Sequence, residues 1–305
     1  MLSEEPASDG RAPRIVCCGE GMLEISRAGA AWQLGHGGDM LNTAIHLARA
    51  GHDVALLTAL GTDPHSARLR AAWTAEGIDP TLILTDPARN PGLYAIDVDN
   101  TGERSFTYWR AGSAASAMFA LPAMAQASAA ASRADMLVFS LISLAILPDA
   151  GREALLRLAG AVRETGGKVA FDGNYRPRLW TTPAEARHWR DAAITAADFG
   201  LPTLDDEIAL DGAGDAPAVA AHWHRLGCAE PVVKLGAAGC RLADGTIIAP
   251  ARRLAALDTS GAGDAFDAGY LGARLLGAPP AEAARQGHAL AGWTIMRPGA
   301  IPPRA

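Results

Sequence analysis

Asp258-Thr-Ser-Gly-Ala-Gly-Asp264 runs directly into Ala265-Phe-Asp-Ala-Gly-Tyr-Leu-Gly-Ala-Arg-Leu-Leu276, a Gly-rich turn followed by an apolar-periodic segment. The backbone N–H groups of Gly261, Ala262 and Gly263 are expected to emerge at a helix N-terminus, where free donors and the helix dipole favour an anion. Asp264 follows at once, a carboxylate placed to take a proton while phosphate charge builds up beside it, and phosphoryl transfer is the chemistry this suits. An ordinary helix start reads the same residues differently, with Thr259 or Ser260 as N-cap and Asp264 merely favourable in the first turn.

Outward from this stretch lies a second Gly-rich element, Gly35-His-Gly-Gly-Asp-Met-Leu-Asn42, which opens an Ala-rich helix closed by Gly51. Gly37 and Gly38 let backbone approach a ligand closely, and Asp39 and Asn42, about one turn apart, can serve the same ligand. Asp39 as a simple helix cap is the competing reading.

Between the two elements, buried-type runs at Arg14 to Gly19, Val54 to Leu60, Met136 to Ser140 and Lys168 to Phe171 alternate with helical stretches at 64–76, 149–165 and 183–196. That alternation predicts a doubly wound α/β fold on a mostly parallel sheet. Further strands are expected at Asp198 to Pro202 and Pro231 to Leu235, a hairpin at Cys240 to Ala249, one helix over Ala114 to Ala131, and two closing helices at 261–276 and 281–296. Gly19-Glu-Gly21 lacks the third glycine of a dinucleotide fingerprint.

A β-hairpin breaks the parallel pattern: Leu93 to Val98 and Arg104 to Trp109 flank the turn Asp99-Asn-Thr-Gly102. Inserted there, it predicts a projecting lid, carrying Tyr94, Tyr108 and Arg110, two hydroxyls and a guanidinium suited to a hydroxylated anion. The alternative has the aromatics packing the flap and Arg110 solvated. Asp172, Asn174, Arg176 and Arg178 follow a strand end, where ligands of open α/β sheets bind. Thr203-Leu-Asp-Asp-Glu207 suits either a water-mediated Mg²⁺ contact or a negatively charged first helical turn. His36, His46, His222 and His224 lack partners at metal-ligand spacing.

The whole chain, 305 residues with 49% hydrophobic and 20% charged, is ordinary for a globular enzyme. Its net charge of −6 argues against nucleic acid or an anionic membrane as main partner. Four cysteines, two of them adjacent, suggest neither a zinc site nor a disulfide framework. We expect a disordered tail at 1–13, one domain over 14–305 with lid segments at about 22–36 and 92–110, and a cytoplasmic location.

With Gly37-Gly-Asp-Met-Leu-Asn42 and Asp258 to Asp264 both in view, the chain resembles the ribokinase-like carbohydrate kinases of the phosphofructokinase-B type. Leu93-Tyr-Ala-Ile, Thr101-Gly-Glu-Arg-Ser-Phe-Thr-Tyr-Trp-Arg110, Phe171 to Trp180 and Leu201 to Glu207 narrow the resemblance to the 2-keto-3-deoxygluconate kinases of that family. The resemblance implies a ribokinase-like three-layer fold with a small β lid, ATP and Mg²⁺ as cofactors, and a sugar acid as phosphoryl acceptor. It implies that Asp264 is the general base and that the Gly261, Ala262 and Gly263 amides stabilise the migrating phosphoryl group. Gly38, Asp39 and Asn42 would bind sugar hydroxyls, Tyr94 and Tyr108 the substrate chain, and Arg110 with Arg176 its carboxylate. Lys234, Gly236, Gly239 and His288 would lie near the nucleotide, and Asp206 would contact Mg²⁺. Met40, Gly173 and Thr203 to Asp206 depart from the family pattern, the last touching the Mg²⁺ contacts. A kinase for fructose, ribose or 2-keto-3-deoxygalactonate, or a non-catalytic sugar-acid sensor, remain alternatives, and the lid's exposed face points to a homo-oligomer.

Overall fold

The computed structural model describes residues 12–28, 31–98 and 104–304. Residues 1–11 of the tail expected at 1–13, and the hairpin turn at 99–103, lie outside the described residues. In chain order the strands are β1 Arg14–Cys18, β2 Met22–Ala28, β3 Ala31–Gly37, β4 Asp53–Leu60, β5 Ile78–Asp79, β6 Ile83–Thr85, β7 Leu93–Val98 and β8 Arg104–Trp109. There follow β9 Met136–Ser140, β10 Lys168–Asp172, β11 Phe199–Gly200, β12 Glu230–Pro231, β13 Val233–Lys234, β14 Cys240–Arg241 and β15 Ile247–Ile248. The helices are α1 Asp39–Arg49, α2 Pro64–Ala75, α3 Met124–Ala131, α4 Leu141–Ala145, α5 Asp149–Glu164, α6 Pro183–Ala196, α7 Leu204–Asp211, α8 Ala216–Arg225, α9 Ala262–Leu275 and α10 Pro280–Ile295.

The main sheet runs β12-β11-β10-β9-β1-β4-β5, with β6 also on β4, and its strand pairs are parallel. From the central β1 the chain winds to β4, β5 and β6, then returns to build β9 to β12 on the other side. The place where the winding reverses, between β1 and β9, is where such sheets bind ligands at their carboxyl ends.

Successive residues of a strand point to opposite faces, and both faces here are covered. Val16, Cys18, Leu137, Phe139, Val169 and Phe171 enter one core, packed with residues of α3, α5, α6 and α8. Ile15, Cys17, Met136, Val138 and Ala170 enter the other, with residues of α1, α9 and α10. That double burial is why these strands read as continuous apolar runs instead of alternating ones. Cys17, Cys18, Cys228 and Cys240 are all buried and unpaired.

A second sheet, ordered β3-β2-β7-β8, forms the lid: β2 pairs antiparallel with β3 and parallel with β7, and β7 pairs antiparallel with β8. The small antiparallel β13-β14-β15 sheet carries the expected 240–249 hairpin.

Three expectations need correction. The single helix over 114–131 is a 3₁₀ turn at Ala115–Ala120 followed by α3, because Pro122 cannot continue the first helical segment. The strand expected at 198–202 contracts to β11. The one expected at 231–235 splits, β12 closing the main sheet and β13 opening the small one.

Candidate active site

The N-cap of α9 is Gly261 itself, at φ 69°, and no side chain caps the helix. This overturns Thr259 or Ser260 as cap. A side chain at 261 would be strained by the left-handed backbone, and its Cβ would stand 2.5 Å from Cβ of Ala300. Asp258 fastens the preceding turn: Ser260 N–H donates to its Oδ1 at 3.0 Å and Gly299 N–H to its Oδ2 at 2.5 Å. The Ala262 N–H donates to Thr259 O at 3.3 Å, which leaves the rest of the first turn as the stronger anion donors.

Asp264, in that first turn, is only 9% exposed and accepts from Asn42 Nδ2 at 2.7 Å. Burial, with the neighbouring Asp39 charge adding to it, pushes its carboxyl up to about 7, against the opposing Asn42 hydrogen bond. The Asn42 Oδ1 is buried with no partner among the described residues, an open acceptor that fits a ligand hydroxyl. Asn42 and Asp264 come from elements far apart in the chain, brought together because α1 packs on α9.

Asp39 does not cap α1. The N-cap is Gly38, at φ 143°, and a Cβ there would lie 2.3 Å from the Glu20 carbonyl oxygen. The Asp39 carboxylate instead accepts from Ser140 Oγ and from Asn174 Nδ2 at 3.3 Å. Burial raises its pKa, partly offset by the Ser140 hydrogen bond and by Arg110. Glu20, Ser140 and Asp172 thus stand just after or at the carboxyl ends of β1, β9 and β10, around the reversal point of the sheet.

Lys234 is buried with its ammonium shared by Asp172 Oδ1 at 3.0 Å and the two Asp267 oxygens at 3.0 and 3.1 Å. A Cβ on Gly263 would be 3.7 Å from its Nζ, so this charge sits behind the α9 first turn. Burial alone would lower the Lys234 pKa, but the two carboxylates outweigh it and hold it above the ordinary value. Gly236 and Gly239 bound the short turn after β13; a Cβ on Gly239 would meet Ile248 O, and that same oxygen lies 2.9 Å from His288 Nε2. The His288 ring packs on Phe266 of α9, centroids 5.0 Å apart. Gly239 of the turn after β13 and His288 of α10 thus meet at the Ile248 carbonyl.

On the lid, the buried Tyr94 donates from its hydroxyl to Glu24 and stacks on Tyr108 at 5.9 Å, and Tyr108 is 46% exposed. Arg110 is not solvated: Nε donates to Glu20 Oε2 at 2.8 Å, Nη2 lies 2.7 Å from the same oxygen, and the guanidinium carbon is 5.7 Å from the Tyr108 ring. Arg176 Nη1 donates to Tyr175 O at 2.7 Å and reaches the Asp206 oxygens at 3.3 and 3.4 Å, its side chain 52% exposed. The structure thus pairs Arg176 with Asp206, residues expected at different ligands. At Gly173 a Cβ would come 3.2 Å from the buried Trp223 ring, which occupies the room a larger residue would need.

Sequence reasoning missed Glu20, Ser140 and Asp267. Glu20 had a signal, its place immediately after the first strand of a parallel sheet. Asp267 lies one turn beyond Asp264 on the same helix, and nothing in the sequence marks it as the partner of a lysine 33 residues away. Among the described residues, no three His, Cys, Asp or Glu side chains converge as metal ligands. No helix among them is long and apolar enough to cross a membrane.

Comparison with known proteins places the chain in a family. Residues 15–305 match the model of the pfkB family carbohydrate kinases. A 2-dehydro-3-deoxygluconokinase from Escherichia coli K12 is 43% identical over 303 residues, covering 95% of this chain and 97% of that protein. Among solved structures, a PfkB protein from Polaromonas sp. JS666 superposes with a TM-score of 0.83 at 30% identity, covering 93% of this chain and 96% of that one. Aminoimidazole riboside kinase from Salmonella enterica, complexed with aminoimidazole riboside and an ATP analogue, gives 0.79 at 25% identity over 94% and 95% of the two chains.

Proposed function

This chain belongs to the pfkB family of carbohydrate kinases, and on that premise we propose that it transfers the γ-phosphoryl group of ATP to the 6-hydroxyl of 2-keto-3-deoxygluconate. The similar kinase from E. coli is named for that acid under its other name, 2-dehydro-3-deoxygluconate. ATP as donor is supported by the ATP analogue in the Salmonella structure.

The observation that carries the reading is Asp264, buried beside Asn42 at the uncapped start of α9, with its carboxyl pushed up to about 7. A base of that strength takes the proton of a primary hydroxyl as the oxygen attacks the γ-phosphorus. The bond from γ-phosphorus to the bridging oxygen breaks, ADP leaves, and the proton stays on Asp264 until solvent takes it. Amides of the first α9 turn, Gly263 foremost, face the charge that gathers on the phosphoryl oxygens. Lys234 lies behind them as the buried counter-charge of Asp172 and Asp267.

Asn42 and Asp39 would hold sugar hydroxyls, Tyr94 and Tyr108 the carbon chain, and Arg110 with Arg176 the carboxylate. Mg²⁺ would ride on the ATP phosphates and screen their charge, with Asp206, held only by long contacts to Arg176, suited to a water-mediated contact. Trp32, Leu34 and Trp109, exposed on the lid, would pair with a second copy. Residues 14–305 would act as one domain, and the four free thiols suit a reducing cytoplasm.

The test is a coupled ADP-release assay across 2-keto-3-deoxygluconate, 2-keto-3-deoxygalactonate, fructose and ribose, with NMR of the product. We expect the gluconate-derived acid to be turned over most efficiently and phosphorylated at O6. Turnover of the neutral sugars with none of the keto acids would overturn the assignment.

A further inference from the structure

Glu20 is a carboxylate buried to 1% exposure, and three donors converge on it. Arg110 Nε donates to Oε2 at 2.8 Å, Arg110 Nη2 lies 2.7 Å from the same atom, and Ser113 Oγ donates to Oε1 at 2.6 Å. The space for it is built in: a Cβ on Gly92 would stand 2.6 Å from Glu20 Oε1, so any side chain there would displace the carboxylate.

The location gives these bonds meaning. Glu20 lies between β1 of the main sheet and β2 of the lid. Arg110 directly follows β8, the last lid strand, and Ser113 comes three residues later where the chain re-enters the body. Glu20 therefore ties the outgoing lid connection to the returning one. It also takes the Nε edge of the guanidinium, and no other hydrogen bond from Arg110 is seen among the described residues, so its Nη1 donors remain for a ligand. The guanidinium is close enough to Asp39 to lower that group's pKa, which places it within electrostatic reach of the sugar-hydroxyl site.

We propose that Glu20 is a positioning residue for acid recognition: it locks the Arg110 guanidinium at the lid hinge in the orientation that receives a substrate carboxylate. The proposal rests on the reading of Arg110 as a carboxylate ligand. A guanidinium held along one edge loses less rotamer freedom on binding, so the lock acts on capture of the acid and not on the phosphoryl step. Glu20 is 1% exposed and its bonds go to Arg110 and Ser113, which gives it a positioning role.

A double-mutant cycle tests it, with E20A, E20Q, R110A and the two Arg110 doubles assayed on 2-keto-3-deoxygluconate, KM and kcat read separately and folding checked by thermal melting. We expect E20A to raise KM for the acid about 10-fold, as befits the loss of a charge-assisted hydrogen bond, with kcat and KM for ATP within about twofold. E20Q, which keeps an oxygen acceptor for Arg110, should recover part of the loss. On the R110A background neither change should raise KM further. An E20A effect that persists in full on R110A, or that falls on kcat, would overturn the positioning role while leaving the carboxylate clamp standing. An R110A enzyme with unchanged KM would instead sink the clamp and the proposal together. If E20A melts before assay temperature, E20Q alone on both backgrounds decides between the same outcomes.

Discussion

Asp264 and Arg110, proposed to serve the phosphoryl step and the substrate acid, are each held by a side chain from a distant part of the chain, yet they are set in different material. Asp264 starts a helix packed on both α1 and α10, bonded to Asn42 and backed by the buried Lys234, Asp172 and Asp267. Arg110 directly follows the last strand of a four-stranded sheet whose own buried cluster is small: Met22, Tyr94 and Ile96 with Phe106 against them, while Tyr108, Trp109, Trp32 and Leu34 stay exposed. The proposed phosphoryl end is preorganised by the core. The proposed acid-reading end hangs on a thin sheet pinned at its hinge, and on that reading the difference separates what every sugar kinase must do from what selects one substrate.

The largest effect should come from the buried end. D264N removes the base and leaves the shape, so kcat should fall on the order of 1,000-fold. The wild-type kcat/KM should also rise with pH through about 7 and then level, because only ionised Asp264 accepts the proton, and that limb should vanish in D264N. The same variant should melt no lower than wild type, since an ionised carboxylate beside Asp39 is costly to bury. A loss under tenfold, or a pH limb that survives, would remove Asp264 from the chemistry.

Next is Lys234, which sharpens where the core ends and the nucleotide site begins. K234M strips the counter-charge from two buried carboxylates, Asp172 and Asp267, and should cost about 3–5 kcal/mol of stability in urea unfolding. A small loss of stability with a large rise in KM for ATP would make Lys234 a nucleotide ligand first.

The sequence carried this architecture unevenly, for physical reasons. Double burial of β1, β4, β9 and β10 writes continuous apolar runs, so the parallel sheet was legible. Asp264, Asn42 and Asp39 were legible because glycines that admit a ligand sit beside them. What stayed hidden are partners fixed only by the tertiary fold: Asp267 with Lys234, Ser140 with Asp39, Glu20 with Arg110. The strands expected at 198–202 and 231–235 were found but drawn too long, because two-residue pairings leave no period from which to read their ends. At α9 the competing reading, Thr259 or Ser260 as cap, came from propensity; the left-handed Gly261 takes the cap position and leaves the first turn without a side-chain cap.

The comparison of the two ends is tested most directly by the selectivity of R110A. With wild type and R110A side by side, kcat/KM is measured for 2-keto-3-deoxygluconate and for a neutral ketose. The account predicts that kcat/KM for the acid falls about 30- to 100-fold, the worth of a charge-assisted contact, while the neutral ketose changes less than threefold. An equal fall for both substrates would mean that the lid contributes to the phosphoryl step itself, and would contradict the division of labour between the two ends.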